Sequence, residues 1–384
     1  MKSVRAATPL PLMALGLVAL LAAMWAGLVR LGWGWPVLRP TLPIAHGPLM
    51  ISGFLGTVIG VERAVALSAL PMAGPLRRWT FAGPCLTGLG ALALIGGWPG
   101  SGGPVLMTLG SLSLALVYGL IVRMQTTLFT ITMAAGAVLW LVGNGLWLLG
   151  WPIYMIVAWW SGFLILTIAG ERLELSRVLR PTRTVQTLFV MAVGIFLIGL
   201  IISLLDLDLG VRLAGVGLVT LALWLLRYDL ARRTVRKSGL TRFMAVCLLA
   251  GYGWLGIGGG LTILFGGVSA GFRYDAILHA VYVGFVISMI FGHAPIIFPA
   301  IIGRAMPYQA VFYTHLALLH LSLLLRIVGD LTAWLPARQW GGLLNVVALL
   351  LFLFNTVRAV RGAMKRSTAV GISLKSPKSR PSIR

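Results

Sequence analysis

The sequence predicts an all-α, polytopic membrane protein of about twelve transmembrane helices in three pseudo-threefold four-helix blocks, on three observations. Of the 384 residues, 59% are hydrophobic and 10% charged, and the mean hydropathy is +0.97. No soluble fold could hide that much apolar surface. The apolar residues also gather into runs of about 17–25, the length that crosses a hydrocarbon core. The third observation is an internal repeat. Residues 46–68, HGPLMISGFLGTVIGVERAVALS, return in part at 161–172 as SGFLILTIAGER and more faintly at 284–293 as GFVISMIFGH. The copies begin at Gly53, Gly162 and Gly284, 109 and 122 residues apart, which is about four span-plus-loop units each time.

The first block, near 1–123, holds spans near 9–30, 45–68, 79–97 and 103–123. Arg39-Pro40, Pro71 to Arg78 and Gly96 to Pro104 mark its breaks, because proline and glycine interrupt a helix where the chain must turn. Lys2 and Arg5 precede the first apolar run. That run is too long for a signal-peptide core and has no small-residue cleavage site, so it counts as a span. The second block, near 127–227, has spans near 127–149, 152–172, 185–205 and 209–227, divided at Arg177 to Arg183 and Asp206 to Gly210. The third, near 241–360, has spans near 241–267, 275–302, 309–329 and 337–360; its punctuation is Arg227 to Arg242, Gly271 to Asp275, Pro307 and Pro336. Residues 1–364 thus form a single membrane domain. Residues 365–384, with Lys365, Arg366, Lys375, Lys378, Arg380 and Arg384 among Ser and Pro, are expected to be a disordered basic cytoplasmic tail on an anionic membrane face.

The formal charge of +23 does not point to nucleic acid, since the basic residues lie between apolar spans instead of along one amphipathic face. It points to topology. With a cytoplasmic N-terminus, only Arg30, Arg39, Arg212, Arg273, Arg326 and Arg338 of the 31 Lys and Arg fall on the far side. The expected location is therefore a bacterial inner membrane, multi-pass, with both termini in the cytoplasm. Cys85 and Cys247 fall inside predicted spans, with no CxxC or CxxCH, which excludes a disulfide framework, a zinc ribbon and covalently attached haem.

Orientation turns position into depth. Span 2 enters from outside, so His46 is at its outer end and Glu62 lies about 24 Å further along the axis. Span 10 also enters from outside, putting His279 at the level of His46 and His293 about 21 Å deeper, level with Glu62 and Glu171. His315 and His320 lie on span 11, five residues apart, too far round the helix to stack on one face. All five histidines of the chain are thus in or beside spans 2, 10 and 11. An ionisable side chain in lipid is costly and turns toward a partner, a cavity or a cofactor. His46 and His279 are open to two readings: helix-end imidazoles bonded to water or carbonyl, or two ligands from neighbouring helices holding one b-type haem iron. For His315 and His320 the choice is between interhelical hydrogen bonds and metal ligation. Glu62-Arg63 and Glu171-Arg172 keep the same offset from their glycines, and side chains about 100° apart on a helix each look for a partner on another helix. They are expected to form an ion-pair collar at the inner side, the alternative being a proton-conducting or metal-binding acid. The repeated glycines read as close-packing positions.

Twelve spans, three blocks, cytoplasmic termini, an HGxxM opening of span 2 (His46, Gly47, Met50) and His279 in the outer part of span 10 together resemble subunit I of the haem-copper oxidase and nitric oxide reductase superfamily. Through His-x3-Met and HAVYVGFVISMIFGHAP at 279–295, the chain looks closer still to the NnrS family of membrane haem and copper proteins linked to nitric oxide. The resemblance implies haem b with His46 and His279 as axial ligands and His293 as a further ligand, and any copper or second haem would need His293, His315 or His320. It departs where oxidases build their copper centre: spans 6 and 7 contain no histidine, so oxygen reduction at a binuclear site is not expected. Electron transfer, with a redox partner, or nitric oxide handling is the first expectation. A proton-linked secondary transporter using Glu62, Glu171 and His293 is the second, and a cofactor-free assembly factor for a respiratory complex the third.

Overall fold

The computed structural model describes residues 9–68 and 79–373, with side chains up to residue 363. Among them the chain forms helices and connecting turns only. The main helices are α1 (Leu10–Arg30), α2 (His46–Ser68), α3 (Ala82–Gly96), α4 (Gly102–Met124), α5 (Leu128–Leu148), α6 (Ile153–Ser176), α7 (Arg183–Ile202), α8 (Leu207–Tyr228), α9 (Gly239–Phe265), α10 (Gly271–Ile302), α11 (Phe312–Leu331) and α12 (Leu335–Ser373). Eleven are long and apolar enough to cross a membrane; α3, at 15 residues, is the shorter apolar one. The protein is an all-α, multi-pass membrane protein.

Local chemistry sets the ends. Thr127 caps α5 in a reciprocal box with Thr130, Thr182 caps α7, and Asp206 caps α8 by accepting from the backbone N–H of Leu209, each satisfying an amide that the first helical turn leaves unpaired. Gly97 and Gly303 close α3 and α10 at φ 65° and 66°, a left-handed conformation that costs glycine nothing. α12 does not stop where the tail was expected to begin. Its backbone stays helical to Ser373, because the first proline after Pro336 is Pro377 and an established helix propagates until something breaks it. Residues 1–8, with Lys2 and Arg5, the break at 71–78, and 374–384 lie outside the described residues.

Helices adjacent in sequence pack side by side, and α12 returns to α1. There Gln339 donates to the Leu31 carbonyl at 3.0 Å and the Trp33 and Trp340 rings meet edge to face. The three helices carrying the Gly-Phe repeat are the most buried of the eleven spans, at 56% for α2, 67% for α6 and 56% for α10. Two of the three are not regular. Leu49–Gly56 of α2 and Ala280–Ile287 of α10 are π-helical, eight residues each, and Gly53 and Gly284 are the fifth residue of their segments. π turns are rare and cluster at functional sites. α6 carries Gly162 in an uninterrupted α-helix.

Candidate functional site

The two π segments follow directly on the two histidines that share a level. His46 is the first residue of α2, three before its segment; His279 immediately precedes its own. Each ring is oriented through Nδ1. That of His46 donates to the carbonyl of Ala23 on α1 at 2.8 Å, and that of His279 to the carbonyl of Asp275, one turn back, also at 2.8 Å. A carbonyl only accepts, so Nδ1 carries the proton and the lone pair of each neutral ring is on Nε2. Among the described residues neither Nε2 has a hydrogen-bond partner. The ring centroids are 6.4 Å apart and the planes 19° from parallel. Gly27 makes room for this arrangement: a Cβ there would meet His46 Cε1 at 3.0 Å and Nδ1 at 3.1 Å.

Both rings form part of the wall of a cavity of about 650 Å³, together with Met24 and Met50, Phe54, Trp151, Tyr154, Tyr282 and Leu349. The cavity lies at the His46 end of the bundle, and its wall is mostly apolar, with Asp275, Asn345 and three guanidinium groups among its polar members. Arg30, Arg326 and Arg338 line it. Arg326 grips Asp275 through two bonds of 2.9 and 3.0 Å, and Arg338 donates to Asp330 at 2.9 Å and lies 3.8 Å from Asp275. The second carboxylate oxygen of Asp275 stands 3.4 Å from His279 Nδ1. α10, α11 and α12 are thereby joined through one ion-pair cluster beside His279.

The cavity fits a haem. Two imidazole nitrogens on opposite faces of one iron, each at about 2 Å, place ring centroids roughly 6.4 Å apart. The spacing of the His46 and His279 rings has that value. The volume lies within the usual span of cofactor pockets, on the order of 300–1,000 Å³.

The other three histidines are placed elsewhere and do not line this cavity. His293 donates from Nδ1 to the Met289 carbonyl at 2.7 Å. His315 is enclosed by Phe243, Phe291, Phe312 and Phe352, with Asn355 at 3.2 Å from Nδ1. His320 Nδ1 accepts from Trp254 Nε1 at 3.0 Å. In all three, Nε2 is buried without a partner. Among the described residues no three or more His, Cys, Asp or Glu gather as a metal site, and Cys85 and Cys247 are free.

At the Glu62 end, Arg63 of α2 bonds Glu171 of α6 and also reaches its own neighbour Glu62 at 3.4 Å. Arg172 binds Asp229 through 2.9 and 3.1 Å bonds, with both groups buried. Asp229, just past α8, was not singled out in the sequence, and the expectation that each arginine ignores its neighbour fails for Arg63. Also missed were Gly27, Asp275 as partner of His279, Arg326, Tyr282 and the π segments. Only Asp275 had a signal, its i−4 spacing from a histidine.

No curated protein and no solved structure matches the chain. Residues 9–361 match one family model, nearly the whole described length, and the chain belongs to that family, a domain of unknown function designated DUF8744.

Proposed function

We propose that this protein binds one b-type haem between α2 and α10 and uses it to transfer electrons. The observation that carries the reading is the His46–His279 pair: near-parallel rings 6.4 Å apart, each with Nδ1 committed to a carbonyl, both in the wall of a haem-sized cavity. His46 and His279 would be the axial ligands. The haem would supply reversible one-electron redox chemistry. The chain's own residues do the rest. The carbonyls of Ala23 and Asp275 hold the ring tautomers, Met24, Met50, Phe54 and Leu349 exclude water, and Arg30 and Arg338 offer pairing for carboxylates. If His46 and His279 both hold the haem, neither side would be open to a gas, which favours electron transfer over nitric oxide binding. Positive-inside counting assigns the site to the extracytoplasmic half of a bacterial inner membrane.

The transporter reading draws less support, because Glu171 is engaged by Arg63 and Arg172 by Asp229. A copper site would need a ligand cluster, and among the described residues none forms. The test is a reduced-minus-oxidised visible spectrum of protein purified from membranes with haem supplied. A b-type band is expected, abolished in His46→Ala and His279→Ala and kept in His293→Ala, His315→Ala and His320→Ala. Folded wild-type protein without haem would end this reading in favour of transport.

A further inference from the structure

The two imidazoles are not equivalent. His46 Nδ1 meets one neutral acceptor, the Ala23 carbonyl. His279 Nδ1 meets the Asp275 carbonyl at 2.8 Å and, at 3.4 Å, the Asp275 carboxylate as well. That carboxylate is not free to leave. Two bonds from Arg326 on α11, at 2.9 and 3.0 Å, fix its plane, and Arg338 on α12 stands at 3.8 Å. Arg326 is only 8% exposed and Asp275 15%, so solvent screens the cluster weakly.

We propose that Asp275 is a positioning residue that sets the electron-donor strength of His279, and through it the reduction potential of the haem; the proposal rests on the haem reading above. A negative oxygen beside Nδ1–H draws that proton and makes the ring a stronger donor. A stronger donor favours the more positive, oxidised iron and lowers the potential. Arg326 works against this effect by holding the carboxylate to itself, so the two residues have opposite signs. A buried ion pair is poor evidence of stabilisation on its own, whereas its contact with a ligand ring gives it a function.

The experiment is an optical redox titration of the purified holoprotein and three variants. Asp275→Asn keeps the backbone carbonyl and the side-chain shape but removes the charge. Its midpoint is expected to rise, with the reduction equilibrium constant up about tenfold, equivalent to about 59 mV for one electron. Asp330→Asn is the control, because it alters an acid of the same cluster that takes a bond from Arg338 and stands beside Asp275 but does not contact His279. Its shift is expected to be less than half as large. Arg326→Lys keeps the positive charge, loses the two-point grip and releases Asp275 toward Nδ1, and a lower midpoint is expected. This variant decides the matter if Asp275→Asn does not fold. An unchanged midpoint in Asp275→Asn, a shift equal to that of Asp330→Asn, or a midpoint in Arg326→Lys that stays or rises would overturn the proposal while leaving the haem reading intact. Wild-type protein without a b-type spectrum would remove both, and the spectrum is recorded first.

Discussion

α2 and α10 differ instructively from α6, although all three carry the same Gly-Phe dipeptide at the same place in their blocks. In each, the glycine admits a neighbouring helix. A Cβ on Gly53 would meet Ala91 and Ala19 at 3.0 and 3.1 Å, one on Gly162 would run into Leu139, and one on Gly284 into Trp254. Close packing at small residues is what holds helices together when lipid removes the hydrophobic drive. The helices part company around that glycine. α2 and α10 open into π turns next to a histidine, whereas α6 stays regular and has no histidine. A π turn inserts a residue per turn and shifts the faces on either side of it. In α2 and α10 the histidine end and the packing end can therefore face different neighbours. α6 keeps one continuous face, and its polar work is done by Ser161 and by Arg172 at its far end.

The sharpest break in the comparison is expected from Arg172→Leu. It strands the buried carboxylate of Asp229, and losing one partner of such a pair costs about 3–5 kcal/mol. Thermal unfolding in detergent should show the loss. The fraction that folds should keep its full haem spectrum, because this pair lies at the end of the bundle away from His46. A loss of haem at full stability would show that α6 serves the site directly.

Smaller effects are expected from the paired substitutions Gly162→Ala and Gly284→Ala. Both force a methyl into a filled contact, and overpacking of this kind costs about 1–3 kcal/mol. Only Gly284→Ala disturbs a π segment that begins beside His279, so on the haem reading only it should lower haem content as well as melting temperature. Equal haem loss in both would mean that the π segments are incidental to the histidines.

The same contrast shows what the sequence could reveal. The spans were legible because apolar length and basic punctuation are one-dimensional signals, and the common level of His46 and His279 followed from counting rise per residue. Which way those rings turn was not legible, because nearly every face of α2 and α10 is apolar and periodicity carries no direction there. The π segments were hidden for a related reason: Leu, Ile, Val and Phe read alike in α and π turns. Gly27 lies 19 positions before His46, and nothing local says that its missing side chain seats an imidazole. Gly27→Ala should therefore push the His46 ring by a few tenths of an ångström and weaken haem binding by roughly tenfold, the low end for perturbing a ligand's surroundings. Haem-transfer kinetics would register it. Unchanged affinity would mean that the ring has slack.

The smallest expected effect is at the tie between α10 and α6. Tyr282 lies in the π segment of α10, one turn from His279, and lines the cavity. Its hydroxyl bonds Ser161 Oγ of α6 at 2.8 Å and donates to the Val157 carbonyl at 3.2 Å. Ser161 precedes Gly162 as Ser52 precedes Gly53, and Ser52 is similarly occupied, accepting from Trp140 Nε1 at 2.9 Å. In both copies the serine before the glycine is hydrogen-bonded to an aromatic side chain of another helix, Ser52 accepting from Trp140 and Ser161 donating to Tyr282, so the repeat supplies a polar knuckle as well as a gap. Tyr282→Phe keeps the ring and removes the hydroxyl. The expected cost is about 0.5–1.5 kcal/mol, because Ser161 retains its own bond to the Val157 carbonyl at 3.0 Å and no buried donor is stranded. Haem should remain, since the His46 and His279 rings are held by the carbonyls of Ala23 and Asp275. If Tyr282→Phe instead abolished haem binding at near-normal stability, α6 would be a third wall that positions the cofactor, and the division between ligand helices and a purely packing helix would fail.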